Sequence, residues 1–443
     1  MKTKISDQDY QVKVAPIGSA CSVFSVNYCL LSVGNQQFAA YYDENRRITV
    51  AARRCNSPAW DLFQPEGFWQ EDRKRFSHQT DFDSHNYLTM AVDRDGYLHV
   101  SGNMHVDPLI YFRSEKPLDI SSLRCVRQMV GEREERVTYP LFFKDHQGNL
   151  LFRFRDGRSG NGDDIYNIYD TAARSWRRLM DAPLLNGQGE RNGYARLPIA
   201  GPDGYWHMVW VWRESPHCET CNNLSYARSR DLIHWQRSDG TPLALPITRS
   251  TGEIIDPVAV KGGLINMSQE LAFTSSGRPV ITYHRYDDQG RSQAYVASAD
   301  KGEWRISQLS QWRFRWDFKG EGSIPPDVII SAAQAIGGGM LKIDYQSIWG
   351  EPGTWIVDEN TLDVREQLPF TRSLPDAVYQ PNQAIHADAV VQILPGIRGE
   401  DGKVDENLFL RWESLPIARD VSLGAEVKPT TLEVICRNPP SGS

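Results

Sequence analysis

The chain has 443 residues, 40% of them hydrophobic, and a formal net charge of −7. This acidic balance, without a long Lys/Arg run, argues against a nucleic-acid-binding protein that works by general phosphate neutralisation, although it leaves room for a local basic pocket. No apolar run is long enough for a membrane span, and residues 1–14 lack the apolar core of a signal peptide. Seven scattered cysteines do not indicate a disulfide scaffold. We expect a soluble monomer, either cytoplasmic or exported and processed.

Strand pairs joined by a glycine turn recur along the chain. In chain order the turn glycines are Gly34, Gly96, Gly148, Gly204, Gly277, Gly339 and Gly402. The clearest pair spans 83–105, where two β-branched and aromatic runs flank an Asp-Gly turn, which is typical of a β-hairpin. A spacing of about 60 residues is typical of propellers and solenoids. The segment before this hairpin, 56–80, is rich in Trp, Phe and charge and predicts an outer strand followed by a loop.

These repeats predict an all-β fold, a single seven-bladed β-propeller of four-stranded antiparallel blades that covers residues 1–443. Residues 1–20 are expected to close the ring, as an edge strand or as the link from the last blade to the first. Residues 439–443 are expected to form a frayed tail.

In a propeller, residues at equivalent positions of the blades are expected to form one cluster of side chains. The innermost strand of each blade begins near the axis on one face, and the second strand ends on that face. The residues at these positions are rich in His, Tyr and Arg: His85, His105, Tyr139, Arg155, Tyr194, Arg213, His284, Tyr286, Tyr345, His386 and Arg411. We therefore expect a titratable, cationic pocket at one mouth of the channel.

Elimination from a uronic acid requires such a set. A base removes the proton beside the carboxylate, a cation neutralises that carboxylate, and an acid protonates the leaving oxygen. His and Tyr can act as base and acid, and the planar fork of Arg155 matches a carboxylate. An ordinary glycosidase needs paired carboxylates, and no obvious pair falls on this face.

Five motifs carry a family resemblance: DSHNY at 83–87, HVSGNMH at 99–105, RVTYP at 136–140, FRDGRSGNG at 154–162 and LSYARS at 224–229. They resemble the seven-bladed propeller family with BNR-type repeats. That family includes ulvan lyases, rhamnose-glucuronate lyases and a small group of α-L-rhamnosidases. The resemblance is strong over the first half of the chain and looser beyond it.

The resemblance implies roles for individual residues. His85 and His105 match the two pocket histidines of the family, Tyr139 its catalytic tyrosine and Arg155 the arginine that neutralises the uronate. Which of His105 and Tyr139 is the base and which the acid stays open, because a shared pocket can couple their titration. Further substrate-binding candidates are Tyr194, Arg213, Tyr286 and His386, for which packing or lining of the channel is the alternative.

One departure from the family pattern bears on the reaction. The rhamnosidases of the family use a histidine on the opposite face, and this chain has Gln36 there. Glutamine does not titrate and cannot be a general acid. We therefore expect a polysaccharide lyase that cleaves a bond at the 4-position of glucuronic acid, linked to rhamnose as in ulvan or arabinogalactan side chains. The alternatives are an α-L-rhamnosidase that uses the opposite face and a non-catalytic carbohydrate-binding propeller.

A second constellation suggests a metal. His207, Cys218 and Cys221, with His284 or His217 as the fourth ligand, are donors suited to tetrahedral zinc. The family resemblance also suggests a structural metal here, and ordinary buried thiols are the alternative. No cofactor is expected for catalysis. The expected partner is an acidic oligo- or polysaccharide, with neither nucleic acid nor membrane.

Overall fold

The structure, a computed structural model, describes residues 11–381 and 385–438. Regular structure in these ranges consists of β-strands and four single-turn 3-10 helices, Ser84–Asn86, Ile120–Ser122, Cys218–Thr220 and Asp376–Tyr379. The predicted all-β class is confirmed. No helix in the described part of the chain has the length and apolar character to cross a membrane. The predicted tail 439–443 and the first half of the predicted ring-closing segment lie outside the described residues.

The chain forms two compact units. The first takes the described residues up to Arg153, Asn167–Arg177 and those from Arg372 onward, and the second takes Phe154–Tyr166 and Arg178–Thr371. The predicted single domain with seven blades in a closed ring stays a prediction.

Strands of the first unit come both before and after those of the second. The first unit begins with β1 (Gln11–Ala20), β2 (Cys29–Val33), β3 (Gln36–Tyr42), β4 (Ile48–Arg54), β5 (Asp61–Phe63), β6 (Trp69–Gln70), β7 (Arg75–Phe76), β8 (Leu88–Val92), β9 (Leu98–Gly102), β10 (His105–Asp107), β11 (Tyr111–Ser114), β12 (Leu123–Cys125) and β13 (Val137–Lys144). The chain passes between the units within β14 (Leu150–Arg158), β15 (Asn161–Asp170) and β16 (Ser175–Arg178). The second unit holds β17 (Asn192–Ala195), β18 (Ile199–Ala200), β19 (Trp206–Arg213), β20 (Cys221–Ser229), β21 (Trp235–Gln236), β22 (Pro242–Leu243), β23 (Glu253–Asp256), β24 (Glu270–Phe273), β25 (Pro279–Tyr286), β26 (Ser292–Asp300), β27 (Glu303–Gln308), β28 (Val328–Ile330), β29 (Gln334–Gly337), β30 (Met340–Ser347), β31 (Gly350–Asp358) and β32 (Val364–Pro369). The first unit ends with β33 (Val390–Arg398), β34 (Val404–Ser414) and β35 (Thr430–Asn438).

Strands from both ends of the described chain share one sheet in the first unit. Its order is β1-β35-β34-β33-β2-β3-β4-β5. β1 pairs antiparallel with β35 from Gln11 opposite Asn438 to Ala20 opposite Thr430. β2 and β33 run parallel, with Leu31 opposite Ile397, and so join two four-stranded antiparallel arrays. The buried aromatic rings of Tyr28 and Trp412 pack across this junction at 4.7 Å between centroids.

A separate four-stranded antiparallel sheet, β8-β9-β11-β12, contains the predicted hairpin. Leu88 pairs with Gly102 and Val92 with Leu98. The Asp93 side chain fixes the turn by accepting hydrogen bonds from the backbone N–H groups of Asp95 and Tyr97, at 3.0 and 2.9 Å. The hairpin prediction is confirmed.

The second unit repeats the same antiparallel pattern. One sheet has the order β24-β25-β26-β27, and another β28-β30-β31-β32 with β29 also on β30. β17, β19, β20 and β23 pair in succession with antiparallel registers. Its core is apolar and aromatic, with Val296, Ile343 and Val357 fully buried.

Gly102, at the end of β9, lies against the start of β8. A Cβ there would meet the Tyr87 carbonyl oxygen and stand 2.9 Å from the Cα of Leu88, and its φ is +152°. We expect Gly102→Ala to lower the free energy of unfolding by about 3 kcal/mol, because neither backbone atom can yield easily. Gly34→Ala is the control, since Gly34 has φ +54° but nothing within 4 Å of its Cβ; backbone strain alone should cost about 1 kcal/mol. The measurement is urea denaturation, and equal losses of unfolding free energy in Gly102→Ala and Gly34→Ala would contradict this expectation.

Candidate active site

The two ends of the β8–β9 hairpin hold the two candidate histidines. Before β8, Asp83 caps the 3-10 helix Ser84–Asn86 by accepting a hydrogen bond from the His85 backbone N–H at 2.9 Å. After β9 the chain turns at Asn103, with φ 61°, and reaches His105 in β10. Because a hairpin reverses the chain, both histidines arrive at the same end of the sheet.

A single carboxylate links the two imidazoles. Asp83 accepts a hydrogen bond from His85 Nδ1 through Oδ1 at 2.7 Å and from His105 Nδ1 through Oδ2 at 2.5 Å. The rings stack with centroids 3.9 Å apart and planes 19° from parallel. Both Nδ1 atoms donate to Asp83, which makes Nε2 the other nitrogen of each ring.

A second carboxylate comes from the far end of the chain. Asp420 Oδ2 lies 3.6 Å from His85 Nδ1. Its Oδ1 accepts hydrogen bonds from the Ser84 hydroxyl at 2.8 Å and the Ser84 backbone N–H at 3.2 Å. Both carboxylates are largely buried, which strengthens their interaction with the imidazole.

Contacts within this cluster shift the pKa values of Asp83 and His85. Burial alone would raise the pKa of Asp83, but the hydrogen bonds from His105 and His85 lower it well below the usual carboxyl value. Burial would also lower the pKa of His85, but its interaction with Tyr139 and its hydrogen bonds with Asp420 and Asp83 raise it well above its usual value. His85 is therefore a cation at neutral pH, held between two carboxylates.

Tyr139 lies beside this cation. The rings of Tyr139 and His85 have centroids 5.5 Å apart, at 53°. Tyr139 sits in β13, whose Thr138 pairs with His105 next to a register shift. Its φ is 59°, and that of Val106 on the paired strand is 64°. Left-handed backbone at such residues is uncommon and is concentrated at functional sites.

The buried carboxylate of Asp420 gives a pH-dependent prediction. Burial raises its pKa, but the His85 hydrogen bond and charge outweigh this and lower it to about 2. A depressed carboxyl pKa stabilises the folded chain above the unfolded-state value of about 3.9, and this contribution is lost as the pH falls through the folded value. We expect Asp420→Asn to lower the free energy of unfolding by about 2 kcal/mol at neutral pH. Urea denaturation should show this difference shrinking from about pH 4 towards pH 2. The control is Asp388→Asn, which removes a carboxylate that is 76% exposed and should not lower the free energy of unfolding at any pH in this range.

The arginine candidates lie together in the second unit. Arg155 Nη1 donates to the Tyr194 hydroxyl at 3.3 Å, and the Ser159 hydroxyl lies 2.8 Å from the same oxygen. The guanidinium carbon of Arg213 lies 5.4 Å from the centroid of the Tyr194 ring. Burial raises the pKa of Tyr194, but the charges of Arg155 and Arg213 outweigh it and leave the pKa below the usual value. This buried cluster favours a negative charge.

The remaining substrate-binding candidates make local contacts. The Tyr286 hydroxyl donates to the Trp316 carbonyl at 2.6 Å, and Arg315 lies over its ring at 3.8 Å. In the first unit, His386 Nδ1 accepts a hydrogen bond from the Asp388 backbone N–H at 3.1 Å. Their assignment to substrate binding stays a prediction.

The predicted zinc ligands are not arranged as a set. His207 is fully buried, and its Nδ1 and Nε2 are hydrogen-bonded to the Tyr226 hydroxyl and to Asp203 Oδ1, at 2.5 and 2.9 Å. Both nitrogens are thus engaged away from the cysteines. His207 therefore does not fit the ligand role.

The other members of that set are close to aromatic and polar neighbours. Cys221 Sγ lies 3.7 Å from Asn266 Oδ1, and the His284 ring packs on Trp316 at 5.1 Å. Burial lowers the pKa of His284 to about 4 and raises that of Cys221 to about 12, so both are neutral at pH 7. Among the described residues, the only three His, Cys, Asp or Glu side chains with donor atoms all within 4.8 Å are Asp83, His85 and His105. Structural zinc at His207, Cys218, Cys221 and His284 or His217 stays a prediction that this arrangement does not support.

Sequence reasoning gave no role to the two carboxylates. Asp83 stands two residues before His85, and a short acidic residue ahead of a 3-10 turn is a detectable capping signal. Asp420 lies in a segment without strand periodicity, 336 positions from its partner Ser84. No local pattern could have identified it.

Comparison with known proteins now identifies the family. Residues 36–312 match the model of the BNR repeat-containing family. The chain belongs to this family. The resemblance found in the sequence is thereby confirmed. The search of curated proteins finds no match to this BNR-family chain.

Solved structures with a similar fold include polysaccharide lyases. The crystal structure of polysaccharide lyase Uly1 superposes with a TM-score of 0.62 at 14% identity, over 99% of this chain and 94% of that one. An ulvan lyase of the PL25 polysaccharide lyase family gives 0.59 at 14% identity, over 94% of both chains. That ulvan lyase was also solved bound to -[GlcA(1-4)Rha3S]-. This BNR-family chain therefore shares its fold with polysaccharide lyases.

Proposed function

We propose that the chain is a polysaccharide lyase that cleaves the bond to the 4-position of a glucuronic acid, linked to rhamnose, by β-elimination. The observation that carries the proposal is the pair of stacked imidazoles on Asp83 with the Tyr139 phenol beside them. Two proton-transfer groups and a fixed cation within one cluster suit a proton abstraction next to a carboxylate. The shared fold with polysaccharide lyases supports the reaction class.

The reaction balances without a co-reactant. The base takes the proton from C5, the electron pair forms the C4–C5 double bond, and the C4–O bond breaks. The acid returns a proton to the departing oxygen. His105, through Nε2, and Tyr139 supply these two transfers, and which residue acts first stays open.

Charge development is the main barrier in this reaction. The C5 carbanion shares its charge with the carboxylate, so cations near that group lower the barrier. His85 supplies a cation because Asp83 and Asp420 hold it in the imidazolium form. The family resemblance assigns carboxylate neutralisation to Arg155, which in its own unit lies with Tyr194 and Arg213 in a cluster that favours an anion.

A product assay tests the proposal. The chain is incubated with ulvan, or with a glycan that carries rhamnose-capped glucuronate, and the ultraviolet absorbance of the unsaturated uronate is followed. Rising absorbance is the expected result. Free rhamnose without that rise would indicate the α-L-rhamnosidase, and binding without either product would indicate a carbohydrate-binding protein; both would overturn the lyase.

A further inference from the structure

A short hairpin in the first unit carries two exposed aromatic rings. β6 and β7 pair through Trp69 opposite Phe76 and Gln70 opposite Arg75. Because side chains alternate between the faces of a strand, the hairpin has two different sides. Gln70 is 5% exposed on one side, while Trp69 and Phe76 on the other are 48% and 44% exposed.

The two exposed rings are held in a fixed arrangement. Trp69 and Phe76 meet edge to face with centroids 5.3 Å apart, and His78 stacks on Phe76 at 5.3 Å and 14°. Trp69 Nε1 donates to Glu71 Oε2 at 2.7 Å. Rigid rings of this kind give large contact area at little entropic cost when a ligand binds.

The tip of the hairpin is bonded to the His105 segment. Arg73 Nη2 donates to the His105 carbonyl at 2.9 Å, and Arg73 Nε donates to Asp107 Oδ1 at 2.6 Å. Asp107 in turn accepts a hydrogen bond from the His105 backbone N–H at 2.9 Å. The hairpin and the His105 backbone therefore form one hydrogen-bonded assembly.

β7 and the residues that follow it are bonded to the segments that hold His85 and His105. Asn103 Nδ2 donates to the carbonyls of Ser77 and Gln79, at 2.8 and 2.7 Å. Arg75 forms an ion pair with Asp81 at 2.7 Å, and Asp81 accepts a hydrogen bond from Asn86, next to His85, at 2.7 Å. Phe76 is three residues from Arg73, which bonds to the His105 carbonyl at the tip of the hairpin. Three residues of chain span at most about 10 Å, so Phe76 lies close to the His105 segment along the chain.

From this continuity we propose that Trp69 and Phe76 form a saccharide subsite, on which a pyranose ring stacks its apolar face while the neighbouring uronate occupies the His85–His105 cluster. The inference rests on the proposed function and deepens it. Two exposed aromatic rings, one set edge-on to the other, suit a sugar, which presents C–H groups on one face for stacking and hydroxyls at its edge. A small exposed patch whose hairpin is hydrogen-bonded to the His85 and His105 segments fits an extended chain ligand better than a second protein, which needs a larger interface.

The test compares oligosaccharides of two lengths. Affinity is measured by calorimetry in a Tyr139→Phe background, with glucuronate–rhamnose disaccharides and hexasaccharides prepared from ulvan. We expect Trp69→Ala and Phe76→Ala to weaken hexasaccharide binding about tenfold, as loss of an aromatic contact does, and to change disaccharide binding little. Trp69→Phe should retain most of the affinity, which separates loss of the ring from misfolding.

The matched control is Trp349→Ala, which removes a tryptophan that is 43% exposed and packs on Phe314. It should bind both ligands as the parent does. Parent-like hexasaccharide affinity in Trp69→Ala and Phe76→Ala overturns the subsite alone, and so does a change of oligomeric state in gel filtration, which would assign the patch to a second copy of the chain. A Tyr139→Phe parent that binds neither length overturns the proposed function and the subsite with it.

Discussion

Turnover of a glucuronate-containing polysaccharide is expected to disappear in Tyr139→Phe and in His105→Ala. Each change removes one of the two proposed proton-transfer groups beside the His85 cation, and such a group contributes about 10²- to 10⁴-fold to a rate. Tyr139→Phe removes only the hydroxyl, so the thermal unfolding temperature should change little. The measurement is kcat from the unsaturated product.

The control for that experiment removes a phenolic oxygen at the turn of the β8–β9 hairpin, the end opposite to His85 and His105. Tyr97 follows the turn before β9 and packs under Arg174 at 4.6 Å, so Tyr97→Phe should keep full activity. If Tyr139→Phe and His105→Ala both retain activity within about threefold of the parent, neither residue transfers the proton, since general acid–base catalysis is worth far more.

Asp83→Asn is expected to lower kcat by about 10²- to 10⁴-fold, as loss of an orienting carboxylate does in other His-dependent enzymes. An amide has one oxygen to accept a hydrogen bond, and its NH₂ group repels the second imidazole N–H. One of the two rings therefore loses its partner and its orientation.

The pH dependence separates positioning from simple loss of structure. Asp83 is one of the groups that raise the pKa of His85, so its removal should shift the alkaline limb of the kcat profile to lower pH. His85 would then lose its proton at a lower pH, and the cation proposed to neutralise the substrate carboxylate would be lost with it. ¹⁵N NMR of the imidazoles reports the same change directly. An unshifted profile with normal kcat would show that Asp83 has only a capping role.

The β8–β9 hairpin was predictable because its signals are local. The Asp-Gly turn and the alternating runs on either side define the pairing of Leu88 with Gly102. Hairpin geometry then brings His85 and His105 to the same end of the sheet. The structure stacks the two rings, and their catalytic role stays a proposal.

Contacts between distant segments escaped the sequence analysis. Asp420 reaches Ser84 and His85 through tertiary packing, and nothing in its neighbourhood marks it as functional. The segment 56–80 was expected to hold an outer strand and a loop; it also contains the β6–β7 hairpin, whose strands have only two residues each. Runs that short show no periodicity.

The zinc prediction depended on residue type and spacing, together with the family resemblance. The Cys218–Cys221 pair has a suitable spacing, but spacing does not report where each side chain points. His207 is the second residue of β19, where the Tyr226 hydroxyl and Asp203 are hydrogen-bonded to its two ring nitrogens. A buried histidine with two polar neighbours is already satisfied without a metal.

The sheet that pairs β1 with β35 imposes an order on biosynthesis. Ribosomes release a polypeptide from its N-terminus, and domains generally fold as units during translation. β1 cannot find its partner until the strand Thr430–Asn438 has emerged, by which time the second unit has been fully translated. Asp420 also comes late, so the nascent protein lacks one of the two carboxylates around His85 until residue 420 has emerged.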